Sequence, residues 1–204
     1  MVTIFGISSQ ALFGQLLIWL INGAFYAILS LGLALIFGLL NIINFTHGAQ
    51  YMMGAFVAWL LLSYAGIGYW AALLIAPILV GITGIVIERL FLRQLYKLDH
   101  LYGLLLTFGL ALMLEGAFRH MFGVSGLPYQ IPAELTCGYN LGFMFLPKYR
   151  AWVILISLIV CVATWLLIEK TKLGSYLRAA TENPALVRAF GINVPLMITL
   201  TYGF

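Results

Sequence analysis

From Met1 to Ile87 the chain contains no Asp, Glu, Lys or Arg. A water-exposed fold of that length cannot cover itself without charge, so the solvent for this part of the chain is a bilayer. The rest is almost as poor: 8% of residues are charged against 64% hydrophobic, with mean hydropathy +1.08. No basic region precedes the first hydrophobic run, which excludes an ordinary cleaved secretory signal and leaves a retained span. Cysteine is scarce. Cys137 falls in a loop and Cys161 in an apolar span, and no Cys/His cluster has ligand spacing, so neither a disulfide framework nor a metal or cofactor site is expected. There is no HExxH-type pair, and His47, His100 and His120 fall in separate elements, which leaves a membrane enzyme without its catalytic set. The net charge of +4 is small and spread over loops; positive-inside bias accounts for it, and no nucleic-acid partner is expected.

What is present is a succession of apolar segments, and the pattern predicts an all-α polytopic transmembrane bundle of about five spans plus the start of a sixth. The first run, Phe13–Leu40, exceeds the ~20 residues that cross a bilayer and must tilt, bend or overhang. Within it Ser30, Ala34 and Gly38 recur at every fourth position and predict a close-packing seam. Gly48–Ser63 is the second span. Tyr64–Trp70 is a turn with interfacial aromatics, and a third span runs to about Ile87, ended by Glu88, Arg89, Arg93 and Lys97. Leu101–Phe118 is the fourth span and Ala151–Ile168 the fifth. Between these two, residues 121–150 hold Pro128, Pro132 and Pro147 and no period of spanning length, which predicts an ordered extramembrane loop with a short hairpin. A sixth apolar segment begins near Val194 and stops after about ten residues, too short to span, which points to a truncated chain.

Polar groups inside the apolar pattern are the candidate path. Asn41, Asn44, Thr46 and His47 interrupt the chain between the first two spans. Such polarity at membrane depth survives only where it is paired in protein or lines a watery cavity. One reading is a broken helix beside a translocation path; the other is a polar corner at the membrane surface. On the fourth span Thr107, Ala111, Glu115 and Arg119 share one face. Glu115 is either half of an end-of-helix ion pair with Arg119 or a polar group on the path.

The longest late interruption is Gly174–Val194. Asn183 suits an N-cap, Pro184 the first helical position, and Gly191 a left-handed stop, so a short helix is predicted over Pro184–Phe190. At about 10 Å it would not persist alone in water. Leu186, Ala189 and Phe190 at i, i+3 and i+4 form an apolar face suited to a groove, Arg188 points elsewhere, and Glu182 favours the positive helix end. With alternating spans one side carries Arg89, Arg93, Lys97, Lys170, Lys172, Arg178 and Arg188, the other Arg119, Lys148 and Arg150. The richer side is cytoplasmic, which places residues 169–194 in the cytoplasm, and the 121–150 loop and the N-terminus outside.

Three separated stretches carry a family resemblance. They are Asn22–Gly38 running into Ile43-Asn-Phe-Thr-His-Gly48 and Tyr51-Met-Met-Gly54; Leu101–Gly116; and Gly174-Ser-Tyr-Leu-Arg-Ala-Ala-Thr-Glu-Asn-Pro184 with Gly191-Ile-Asn-Val194. Together they resemble the permease subunits of ATP-binding-cassette importers for branched-chain amino acids, in bacterial or archaeal plasma membranes. The resemblance implies one single permease domain over the chain that makes no bonds itself. It also implies cytoplasmic ATPase subunits, a second permease subunit and an extracytoplasmic substrate-binding protein as partners. Glu182, Asn183, Pro184, Ala185, Leu186, Arg188, Phe190 and Gly191 would form the segment that docks in the ATPase. Ala49 and Gln50 stand where the family usually has an acidic residue after His-Gly, so a role resting on that carboxylate does not transfer. Permeases for urea and short amides are closely similar. The rival classes are an ion-driven carrier, for which Glu115 is the one intramembrane carboxylate candidate, and a structural subunit.

Overall fold

The computed structural model describes residues 3–4, 7–40, 44–96, 98–140 and 145–203. The fold is all-α and polytopic, with two small hairpins. A short antiparallel pair, β1 (Thr3–Ile4) and β2 (Ile7–Ser8), leads into α1 (Ser9–Leu40). Then come α2 (Thr46–Ala65), α3 (Tyr69–Ile87), a π-helical segment (Glu88–Leu92), α4 (Arg93–Leu95) and α5 (His100–Phe122). The stretch between the fourth and fifth predicted spans holds α6 (Ala133–Thr136) and an antiparallel pair, β3 (Gly138–Asn140) with β4 (Phe145–Pro147), where a short hairpin is expected. The chain continues through α7 (Lys148–Lys170), α8 (Lys172–Glu182), α9 (Pro184–Ala189) and α10 (Val194–Gly203).

Four helical stretches are long and apolar enough to cross a bilayer: Ala11–Phe37, Tyr69–Leu95, Leu101–Phe122 and Lys148–Lys170. The expected second span, α2, is a helix of 20 residues. Its polar first turns, with Thr46, His47 and Gln50, keep it out of that apolar set. Large apolar side chains such as Trp19, Leu74, Met113 and Trp165 point outward. That is the arrangement lipid requires, since water would penalise it.

The third span does not stop at Ile87. Backbone hydrogen bonding carries the helix through Glu88 and Arg89 to Leu95, and the spacing loosens to a π turn on the way. Three of the charges expected to end it lie within it, Glu88 buried and Arg89 and Arg93 facing outward; Lys97 lies outside the described residues. The loop is likewise shorter than its predicted limits, since α5 runs to Phe122 and α7 starts at Lys148. On α1, Ser30 and Ala34 of the predicted seam are exposed within this chain, Leu35 and Ile36 are buried, and the surroundings of Gly38 lie outside the described residues. Ser30 is satisfied within its own helix, donating to the Tyr26 carbonyl at 2.7 Å.

The chain divides into two compact units, residues 1–30 with 130–166 and residues 31–129 with 167–204. In the first, the Ser157 hydroxyl donates to the Ala24 carbonyl at 2.7 Å and joins α7 to α1. In the second, Ile36, Leu92 and Tyr202 form the buried centre, with Ile87, Tyr96, Leu106 and Ile198 packed against them. On its other side α2 lies along α5 through aromatic contacts, Phe56 meeting Phe118 and Phe122 with ring centroids 4.8 and 4.9 Å apart.

Candidate functional site

The polar break and the start of α2 form one cluster. Asn44 and Thr46 are fully buried. The Asn44 side-chain carbonyl accepts from the Thr46 backbone N–H at 3.0 Å and from the Thr46 hydroxyl, a local turn that holds the first residue of α2. Its amide nitrogen is buried with no hydrogen-bond partner among the described residues. His47 follows, half-buried, with its ring over Gly32: a Cβ at Gly32 would stand 2.4 Å from His47 Cε1. The Phe45 ring meets Phe108 edge to face at 5.8 Å, which brings the break beside the middle of α5, where Thr107 is fully buried. Thr107 donates to the Leu104 carbonyl at 3.1 Å. Asn41 lies outside the described residues.

Glu115 does not join this group. It is exposed and accepts from Arg119 at 2.7 Å, the ion pair that its spacing allowed. Two helical turns separate it from Thr107, about 12 Å of rise, and the intervening twist turns it outward.

The late segment has the predicted caps. Asn183 Oδ1 accepts from the Leu186 N–H at 3.0 Å, Pro184 opens α9, and Gly191 stops it at φ +81° with its N–H on the Arg188 carbonyl at 2.9 Å. The helix closes at Ala189, one residue early, and Phe190 is the cap residue rather than part of the helix. Val187 is the inward anchor at 4% exposure, whereas Leu186 and Phe190 stand 55% and 77% exposed. Glu182, Asn183, Pro184, Ala185, Arg188, Ala189 and Gly191 are exposed as well.

The helix before it, α8, was not anticipated from the charge-rich sequence. Its inward residues Leu173, Leu177 and Ala180 recur at i, i+4 and i+7, a helical signal present in the chain. Arg178 ties α8 to the end of α7, donating to the Ile168 carbonyl at 3.1 Å and pairing with Glu169 at 3.3 Å.

Sequence reasoning also missed Glu88, which it treated as a flanking charge. Glu88 is 1% exposed. Its Oε1 accepts from the Tyr96 hydroxyl at 3.0 Å and its Oε2 from the Thr199 hydroxyl at 2.8 Å. Burial above all, and the neighbouring Tyr202 and Glu88, hold the Tyr96 phenol protonated far above the ordinary range, which suits a donor. Tyr202 lies in the same cluster, its hydroxyl buried without a partner among the described residues. The signal was the spacing of Gly81, Gly84 and Glu88 at i, i+3 and i+7, a close-approach face ending in an acid. Among the described residues no three His, Cys, Asp or Glu side chains stand close enough to share a metal ion.

Residues 15–204 match the family model described as branched-chain amino acid transport system / permease component. The chain is 25% identical over 199 residues to the high-affinity branched-chain amino acid transport system permease protein BraD of Pseudomonas aeruginosa, covering 92% of this chain and 65% of that protein. To LivH of Escherichia coli K12, of the same description, it is 24% identical over 195 residues, covering 88% and 62%. To a probable branched-chain amino acid transport permease protein LivH of Methanocaldococcus jannaschii it is 30% identical over 176 residues, covering 82% and 54%. The chain thus spans less than two thirds of the length of these relatives. No solved structure gives a significant match.

Proposed function

The chain belongs to the permease-component family of branched-chain amino acid transport systems, and from that premise we propose that it is a permease subunit of an ATP-driven importer for these amino acids. It makes no bonds. It encloses part of the path and passes the work of a separate cytoplasmic ATPase to the membrane helices. A second permease subunit and an extracytoplasmic binding protein complete the assembly, with residues 169–194 in the cytoplasm and the N-terminus outside.

The observation that carries the coupling role is the outward pair Leu186 and Phe190 on a helix capped at both ends. A six-residue helix has no reason to persist in water, yet this one is held by Asn183, Gly191 and the buried Val187. Its free apolar face fits a groove in a partner, the helix-in-groove mode. The path role falls to the Asn44, Thr46, His47 and Thr107 neighbourhood, where polar groups gather beside a helix break.

The test is uptake by the assembled transporter in vesicles. Radiolabelled leucine entering only with ATP and binding protein is the expected result. Uptake driven by an imposed ion gradient without ATP would establish the carrier reading, and urea entering in place of leucine would move the substrate class. Phe190→Asp is expected to release the ATPase on co-purification. Unchanged stoichiometry would place that face against the permease and end the docking reading.

A further inference from the structure

A lever on the membrane surface is useful only if its motion is not lost before it reaches the spans. The connection from α9 to α10 is short and stiff. Ile192 donates its N–H to the Val187 carbonyl at 3.4 Å, and Asn193 Oδ1 accepts from the Leu196 N–H at 3.1 Å, capping α10. Val194, the first residue of α10, is buried. A displacement of α9 therefore moves α10.

From α10 to α3 the contact is made largely by backbone. A Cβ at Gly81 would lie 2.4 Å from the Gly203 carbonyl oxygen, and one at Gly84 would lie 2.4 Å from that of Tyr202. Gly81 and Gly84 let the two backbones come close, and the Ile85 side chain packs on Gly203, an apolar contact with no directional bond of its own. On the same face of the third span, one turn beyond Gly84, stands Glu88. Its two oxygens hold Thr199 of α10 on one side and Tyr96 on the other. It also opens the π turn Glu88–Leu92, the kind of irregularity at which long helices bend.

We propose that Glu88 is a positioning residue for transport. Its carboxylate clamps α10 to the π turn of the third span, so that displacement of α9 bends that span instead of being lost as slip between helices. The clamp rests on the docking of α9 proposed above. Glu88 touches neither nucleotide nor, in this role, the carried amino acid. A buried carboxylate bonded to two hydroxyls suits the task because charged acceptors make the stronger, more directional hydrogen bonds.

The experiment uses the assembled transporter in vesicles and compares leucine uptake with ATP hydrolysed. Glu88→Gln and Thr199→Val are expected to retain the ATPase subunit and basal hydrolysis while lowering uptake per ATP by about five- to tenfold, the low end of ordinary coupling between sites. Thr199→Ser, which keeps the hydroxyl, is expected to restore the wild-type ratio. The double variant should be no worse than Glu88→Gln alone, because both changes act on the same charge-assisted Glu88–Thr199 bond. A structural pin alone would lower the amount of assembled protein and leave the ratio unmoved. A ratio within about twofold of wild type in both Glu88→Gln and Thr199→Val would overturn the clamp, twofold being below the span of ordinary couplings. Loss of the ATPase from Glu88→Gln would overturn it as well, by placing the effect at docking. Phe190→Asp separates the two readings. If it keeps the ATPase and full uptake, the docking reading falls and the clamp with it. If it releases the ATPase while Glu88→Gln keeps its ratio, the clamp alone falls.

Discussion

The Thr199 hydroxyl donates to Glu88 Oε2 at 2.8 Å although the two residues are 111 positions apart in the chain. One lies in the apolar segment that follows the short capped helix α9, the other at the π turn of the third span. The bond joins the part of the molecule proposed to meet the ATPase to the part that crosses the membrane.

The glycine face beneath that bond should be intolerant of bulk. Gly84→Val places carbon atoms where the Tyr202 carbonyl now sits, 2.4 Å from the first of them, and the Gln50 amide stands 3.1 Å away. Overpacking of this kind costs about 1–3 kcal/mol. Thermal unfolding of the detergent-solubilised protein should show a clear drop in Tm. Gly54→Ala serves as the control, because its nearest neighbour stands 4.0 Å from the added carbon.

Asn183→Leu removes the acceptor for the Leu186 N–H, and a lost N-cap costs about 1 kcal/mol. Membrane insertion should be unaffected, while uptake and transport-linked ATP hydrolysis both fall. Gly191→Val acts at the opposite end of the same helix, where φ is +81°. A left-handed L-residue costs roughly 1–2 kcal/mol, so the two variants should share a phenotype. Wild-type uptake by either would mean that the stiffness of α9 is irrelevant.

Asn44→Leu leaves the buried Thr46 hydroxyl and N–H without their acceptor. Each unsatisfied buried group costs about 1–3 kcal/mol. The expected outcome is a lowered Tm with faster amide exchange in the first turn of α2. Exchange there at the wild-type rate would show that the turn is held by something else.

For Glu115 the structure favours pairing over solitary exposure. Glu115→Arg alone should lower the yield of folded protein, and Glu115→Arg with Arg119→Glu should recover it, since the two side chains lie one turn apart and can exchange signs. Uptake that stays absent in the recovered double variant would return Glu115 to the path.

Much of the candidate site was legible because its signals are local. Asn183, Pro184 and Gly191 act on their own neighbours, so their caps could be read from a few consecutive residues. The Glu115–Arg119 pair needed only the helical repeat. The third span was misread at its end for the same reason: a charge in sequence looks like a terminus, and nothing local says that Glu88 will find two hydroxyl donors. Within this chain the face of Ser30 and Ala34 is exposed. Small residues permit close approach, but which face is approached depends on what else is near.

Composition alone settled the solvent, since a stretch from Met1 to Ile87 without a formal charge has no other home, and the capping chemistry alone settled α9. The burial of Glu88, the outward turn of Leu186 and Phe190, and the passage of α10 along Gly81 and Gly84 belonged to the tertiary structure. Caps and apolar runs are properties of neighbours along the chain. A buried carboxylate is affordable only where distant hydroxyls converge on it, and that convergence exists only after the helices have packed.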